Sequence, residues 1–176
     1  FRIEAGKRPE LWLEAFSLAH EKEQRIRGVL VGGGRMLGAV KEWIVQRGLT
    51  GTVYLAGESD DVAAWLSEMD VFLFTSMTEG LPNVLIEAQG FGLPVVSTNV
   101  GGVPEVVQDE ETGILVSSSS AAELSQAIVR LLESPKLGEL RDKSISNARD
   151  NFSVRSMIQK TEDIYSRALC SSLGSV

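Results

Sequence analysis

The segment that most constrains the fold runs from Asp70 to Glu105, DVFLFTSMTEGLPNVLIEAQGFGLPVVSTNVGGVPE. Val71-Phe72-Leu73-Phe74 is an unbroken apolar run of strand length, and Pro94 to Thr98 supplies a second. Between them lie a polar turn with Glu79 and Gly80, then Pro82, suited to the first position of a helix, and a helical segment expected from Asn83 to Gly90 that carries Glu87. The second strand ends in Gly101-Gly102, and another short helix is expected near Pro104. Strand, loop, helix, strand, loop, helix is the grammar of a parallel sheet, and ligands of such sheets lie beyond the carboxyl ends of the strands. Both loops of this segment fall at those ends.

The rest of the chain repeats the alternation. Phe1 to Ile3 is expected to be the tail of a first strand, followed by the turn Glu4-Ala5-Gly6 and the basic pair Lys7-Arg8. Pro9 opens a helix on which Leu11, Trp12, Ala15, Phe16 and Ala19 form an apolar stripe, which marks Trp12 and Phe16 as core residues. Val29 to Val31 reads as a strand running into Gly32-Gly33-Gly34 and a helix from Met36 to Arg47. A glycine loop between strand and helix lets a ligand approach backbone N–H groups, but the dinucleotide fingerprint fails here: the third glycine position holds Leu37, and Gly38 comes one place late. Thr52 to Ala56 is the next strand, and Val62 to Met69 a helix capped by Asp60 or Asp61. For these aspartates and Ser59, capping stands beside base or ribose recognition as a second reading. Ile114 to Val116 is the last strand; helices follow over Ala121 to Glu133, Lys136 to Arg149 and Val154 to Leu169, with Phe152, Ile158 and Tyr165 as packing residues. Strands alternating with helices over short connections predict an α/β, Rossmann-like doubly wound parallel sheet. Residues 1–170 form one domain, and 171–176 are expected to be a frayed tail.

At 176 residues the chain can enclose a core. Its net charge of -7 argues against nucleic acid as a partner, because binding phosphate backbones needs a basic stripe. No apolar run approaches the roughly 20 residues of a spanning helix. The single cysteine, Cys170, forms no internal disulfide and fits a reducing compartment, and the single histidine, His20, is expected on the surface. A start at Phe1 without Met suggests a piece of a longer chain.

Chemistry concentrates around the central loop. Glu79 lies before the helix and Glu87 near its second turn, so that both can face the open end of the sheet. A carboxylate accepts two hydroxyl donors at once, as sugar rings require. Free N–H groups around Gly80, Leu81 and Asn83, with the helix dipole, favour a phosphate oxygen. Arg2 and Lys7 supply positive charge if the first strand is central. The plainer account is a surface basic pair and two acids compensating a helix dipole.

The string Glu79-Gly80-Leu81-Pro82-Asn83-Val84-Leu85-Ile86-Glu87-Ala88, followed by Gly92-Leu93-Pro94-Val95-Val96 and Gly101-Gly102-Val103-Pro104-Glu105, resembles the donor-binding domain of the retaining GT-B glycosyltransferases of family 4. Arg2, Lys7, the glycine loop and the segment from Asp109 to Val116 extend the likeness over almost the whole chain, although Gly32-Gly33-Gly34-Arg35 lacks the proline often found after that loop. The resemblance implies that Glu79 meets donor-sugar hydroxyls near the reacting carbon. It places Glu87 on the ribose hydroxyls and Arg2 and Lys7 on the diphosphate. Backbone N–H groups of Gly80 and Leu81 would hold the distal phosphate, Gly33 would line the donor site, and the loop Gly57 to Asp61, with Ser59 and Asp61, would border the nucleobase. The donor would be a nucleotide sugar such as a UDP- or GDP-sugar, transferred with retention of configuration and without a metal or other cofactor. The partner is an N-terminal acceptor-binding domain of the same chain, without which the fragment is expected to bind nucleotide weakly and to transfer nothing. The setting implied is bacterial polysaccharide or glycolipid assembly in the cytoplasm, with peripheral attachment to the inner face of the membrane open to the full-length protein through that domain. Rival readings are another GT-B enzyme, a phosphorylase or an epimerase, or a non-catalytic nucleotide-sugar sensor or scaffold.

Overall fold

The computed structural model describes residues 2–173, and side-chain surroundings through residue 169. After a 3₁₀ turn at Ala5–Lys7 the elements are α1 (Pro9–Lys22), β1 (Gly28–Val31), α2 (Leu37–Gln46), β2 (Val53–Gly57) and α3 (Val62–Ser67). β3 (Phe72–Phe74), α4 (Asn83–Gly90), β4 (Val95–Thr98), α5 (Val103–Val106) and β5 (Gly113–Val116) make up the central part. The chain finishes with α6 (Ala121–Leu132), α7 (Leu137–Phe152) and α8 (Val154–Leu173).

All pairing is parallel, as the alternation requires, but the strands fall into two pieces. β1 pairs with β2, and β3, β4 and β5 pair in that order. Among the described residues β1 and β3 are not hydrogen-bonded to each other. The single sheet expected from sequence is thus open between them. The strand expected at Phe1 to Ile3 is also absent from the described part: Arg2 and Ile3 lie outside any strand, and Phe1 lies outside the described residues. Ile3 is nonetheless anchored, its amide donating to Gly33 O at 2.8 Å and its carbonyl accepting from Met36 N at 3.0 Å.

α1 holds the two pieces together. Its Leu11, Ala15 and Ala19 pack with Val96, Ile114 and Leu124 of the larger piece, while its Trp12, Leu13 and Phe16 pack with Leu30, Val40 and Ile44 of the smaller one. Trp12 and Phe16 are buried and stacked, with ring centroids 5.6 Å apart. On the opposite face of the larger piece, Phe74 and Val95 meet Leu85, Val103 and Val106. β4, covered on both faces, is buried along its whole length; its Val95 and Val96 enter the core, and its two hydroxyls are satisfied inside, Ser97 Oγ donating to Thr98 O at 2.9 Å and Thr98 Oγ1 to Ser76 O at 3.1 Å.

Local chemistry sets the boundaries. Pro9 sits in the first turn of α1, where a missing N–H costs nothing. Asp61 accepts from Ala64 N at 2.9 Å and Ser120 from Glu123 N at 3.3 Å, each cap being worth about 1 kcal/mol. α7 is tied to α4 and α5 through a buried amide: Asn147 Nδ2 donates to Gln89 Oε1 and to Val106 O, both at 2.8 Å, and Gln89 Nε2 donates to Val106 O at 3.0 Å.

Three further expectations need correction. His20 is half-buried, stacked on Phe16 and within 3.1 Å of Ile26 O through Nδ1, because α1 ends against the turn that leads into β1. Ile158 and Tyr165 do not pack: with Val154, Met157, Ile164 and Leu169 they form an exposed apolar stripe on α8, whereas Phe152 does join the core beside Phe74. The tail expected from Ser171 is helical through Leu173, and 174–176 lie outside the described residues.

Candidate functional site

The site forms where the 3₁₀ turn at Ala5–Lys7 meets the loop after β3. Thr75, fully buried at the end of β3, donates its hydroxyl to Lys7 O at 2.9 Å and to Arg8 O at 3.2 Å, and Met77 N donates to Gly6 O at 2.9 Å. These bonds fix the turn over the carboxyl end of β3. They also hold Arg8 in the left-handed region, at φ 51°, a conformation that costs a non-glycine residue about 1–3 kcal/mol and persists only where its surroundings dictate it. Arg8 then reaches Ser119 Oγ at 2.7 Å, which ties the turn to the loop before α6.

Lys7 projects from this turn onto Glu79. Its Nζ lies 2.5 Å from Glu79 Oε1 and 5.5 Å from the centre of the Phe74 ring. The Glu79 side chain is only 14% exposed and that of Lys7 30%, so the pair is partly shielded and stronger than a surface ion pair. The backbone of Glu79 is fixed from below by Gly102 N, which donates to Glu79 O at 3.2 Å. Here glycine is required twice: a Cβ on Gly101 would run into the carbonyl of Glu79, and one on Gly102 into that of Gly80. The two loops of the central segment therefore rest backbone on backbone.

Gly80 and Leu81 are exposed beside this pair. α4 follows with Pro82 at its N-cap and no side-chain cap, so its first-turn N–H groups face the loop uncovered by side chains. Glu87 lies on α4 and is exposed. Arg2 is exposed one residue before the anchored Ile3, beside the glycine loop. Gly33 faces the Glu58 side chain, whose Oε1 lies 2.8 Å from where a Cβ on Gly33 would sit, and Glu4 accepts from Arg35 N at 3.2 Å. Asp61 caps α3, and the Ser59 hydroxyl accepts from Asp61 N at 3.2 Å and from Trp65 Nε1 at 3.3 Å, so both side chains are engaged by their own segment. The structure thus joins Lys7 and Glu79 directly, sets Gly80 and Leu81 next to them, and leaves Arg2 and Glu87 free of direct contact with the pair.

Sequence reasoning missed the roles of Thr75 and Arg8. A threonine directly after an apolar strand and an arginine directly after Lys7 were the available signals. Among the described residues no three His, Cys, Asp or Glu side chains gather as a metal-holding group, and no helix is long and apolar enough to cross a membrane.

Comparison with known proteins bears on the family and the fold. The family model described as glycosyl transferases group 1 matches residues 2–151. The chain is 36% identical over 127 residues to the Vi polysaccharide biosynthesis protein VipC/TviE of Salmonella typhi, covering 72% of this chain and 22% of that one. The curated relatives are longer than this chain, which spans 42% of a D-inositol 3-phosphate glycosyltransferase 2 from Catenulispora acidiphila that is 29% identical to it and covers 96% of it. Among solved structures, the pneumococcal O-GlcNAc transferase GtfA in complex with UDP and GlcNAc superposes with a TM-score of 0.84 at 23% identity, over 96% of this chain and 34% of that one. The fold is accordingly that of the GT-B glycosyltransferases. By the extent of the family match, the chain belongs to the group 1 glycosyl transferases.

Proposed function

We propose that this domain holds a nucleoside-diphosphate sugar over the carboxyl ends of β3 and β4 and, together with an acceptor-binding domain, transfers the sugar with retention of configuration, as in family 4. The observation that carries the reading is the meeting of Lys7 and Glu79 beside the uncapped start of α4. An ammonium and a carboxylate side by side suit a ligand that is anionic at one end and hydroxylated at the other. Lys7 and Arg2 take the diphosphate, whose charge grows as the sugar departs, and preorganised cations lower that barrier. Glu79 accepts from sugar hydroxyls, and backbone N–H groups of Gly80 and Leu81 bind the distal phosphate. Glu87 binds the ribose, and Gly33 and the segment with Ser59 and Asp61 border the base. The protein's own cations and helix end do the work for which other transferases use a metal. The UDP held in the GtfA complex, and the polysaccharide biosynthesis for which the Salmonella relative is named, support a UDP-sugar donor and a polysaccharide or glycolipid product. In that setting the full-length protein works in the cytoplasm, at the inner face of the membrane.

Calorimetric titration tests this reading. UDP or GDP is expected to bind with measurable heat, and Glu87→Ala is expected to weaken either nucleotide at least tenfold while leaving pyrophosphate binding unchanged. Absence of heat with every nucleoside diphosphate would leave a scaffold role instead.

A further inference from the structure

Arg8 is held firmly in a conformation that favours glycine. Its φ is 51°, and among the described residues the other non-glycine residue with a positive φ is Glu110, in an exposed turn. The Arg8 amide donates to Ala5 O at 3.0 Å, and its carbonyl accepts from Trp12 N at 3.1 Å and from Thr75 Oγ1 at 3.2 Å. The backbone therefore cannot relax without breaking the clamp at the end of β3. Glycine would adopt the same geometry without strain, and strained positions of this kind cluster at functional sites. What glycine could not supply is the side chain. The Arg8 guanidinium is half-buried and offers several N–H donors, yet its hydrogen-bond partner among the described residues is the neutral Ser119 Oγ, at 2.7 Å. Arg25, Arg130, Arg141 and Arg149 each meet a carboxylate. Arg8, in a chain of net charge -7, meets none among the described residues.

Lys7 and Arg8 leave the turn toward opposite faces of the sheet. Lys7 reaches Glu79 and the Phe74 ring, on the face covered by α4 and α5. Arg8 reaches the loop before α6, which packs with α1 on the other face. A ligand whose diphosphate lies on Lys7 thus meets Arg8 with a different group, across the rim from the phosphates. A single guanidinium balances a single negative charge, and its planar fork matches a carboxylate, whereas a phosphate monoester carries about -1.5 to -2. We propose that Arg8, with the hydroxyl of Ser119, binds a carboxylate on a sugar ring, so that the saccharide handled at this rim is a uronic acid. The carboxylate belongs to the transferred sugar or to the acceptor saccharide; the recognising chemistry is the same for both. The inference rests on the donor-site reading above and names the class of sugar that site takes.

Calorimetric titration with matched UDP-sugars tests the proposal: UDP-glucose against UDP-glucuronate, and UDP-galactose against UDP-galacturonate, each pair differing only in a carboxylate for a hydroxymethyl group. The uronate of at least one pair is expected to bind at least about fivefold tighter than its neutral partner, and Arg8→Gln is expected to bring that ratio near one. Where both ratios are already near one in the unaltered protein, trigalacturonate added with UDP is expected to bind, and Arg8→Gln to weaken it by about fivefold or more. That result assigns the carboxylate to the acceptor. No dependence on Arg8 in either arm, with UDP itself bound, overturns the inference and leaves the donor-site reading standing. No heat with UDP overturns that reading and the inference with it. Arg8→Gly relieves the strained backbone, so it is expected to unfold at a higher urea concentration while losing the uronate as Arg8→Gln does. A lower midpoint would show that the arginine is kept for its tie to Ser119, and would overturn the assignment of a ligand.

Discussion

Lys7 and Glu79, seventy-two residues apart in the chain, share an ion pair, and the hydroxyl of Thr75 holds the backbone of residues 7 and 8 above the end of β3. Position and charge are thus set by different residues, and they can be separated by mutation.

Lys7→Ala removes the cation without touching the clamp. Charge-assisted hydrogen bonds contribute about 1.5–3 kcal/mol, so the dissociation constant for UDP or GDP is expected to rise at least tenfold. Glu79→Gln is expected to change it less than threefold while abolishing the added affinity of a sugar on the diphosphate. Titrations of both variants with nucleoside diphosphate and nucleotide sugar check the split, and an equal loss in both would refute it.

Thr75→Val keeps shape and removes the hydroxyl. Two backbone carbonyls lose a buried donor, at a cost of about 1–3 kcal/mol, and the strained Arg8 loses one of its restraints. A lower urea midpoint is expected together with weaker nucleotide binding. Thr75→Ser, which keeps the donor, is expected to recover most of the binding.

Gly102→Ala drives a methyl group into the Gly80 carbonyl. The loop after β3 has to shift, at about 1–3 kcal/mol for an overpacked contact. The same substitution at Gly38, where nothing lies within 4 Å of the added carbon, is expected to be neutral or slightly stabilising. Paired denaturation curves of the two variants measure the difference.

Glu23 carries a pH signature away from the site. The Arg25 guanidinium and backbone N–H, both bonded to it, hold its carboxyl down at about 2. Because the folded value lies below the unfolded one, its contribution to stability is complete above the ordinary carboxylate range and is lost as pH falls through about 2. Carboxyl NMR titration is expected to show that midpoint. Arg25→Ala is expected to return it most of the way toward ~4.3.

Much of this was legible in the chain because the determinants are local. Asn83–Gly90 is a helix over the residues expected, since a proline precedes it and a glycine ends it. Asp61 and Ser120 cap the helices they precede. The Lys7–Glu79 pair was legible only as two charges at strand ends, and Thr75, which brings them together, was not, because its partners lie 68 and 67 residues away. The strand expected at Phe1 to Ile3 illustrates the converse. Composition marks a segment as able to pair, but pairing belongs to the neighbours, and Arg2 and Ile3 have none in a strand here. Ile158 and Tyr165 fall at helical spacing on a helix whose apolar stripe lies bare, so periodicity foretold the stripe and not what would cover it.

The amide of Asn147 gives the two glycine-bearing loops a shared fate. Because one side chain grips both Gln89 of α4 and the Val106 carbonyl of α5, and because Gly101 and Gly102 lie against the backbone of Glu79 and Gly80, neither loop can travel without the other. The rim that carries Glu79 is thereby braced as one unit against α7, through Asn147 on one side and the glycine contacts on the other.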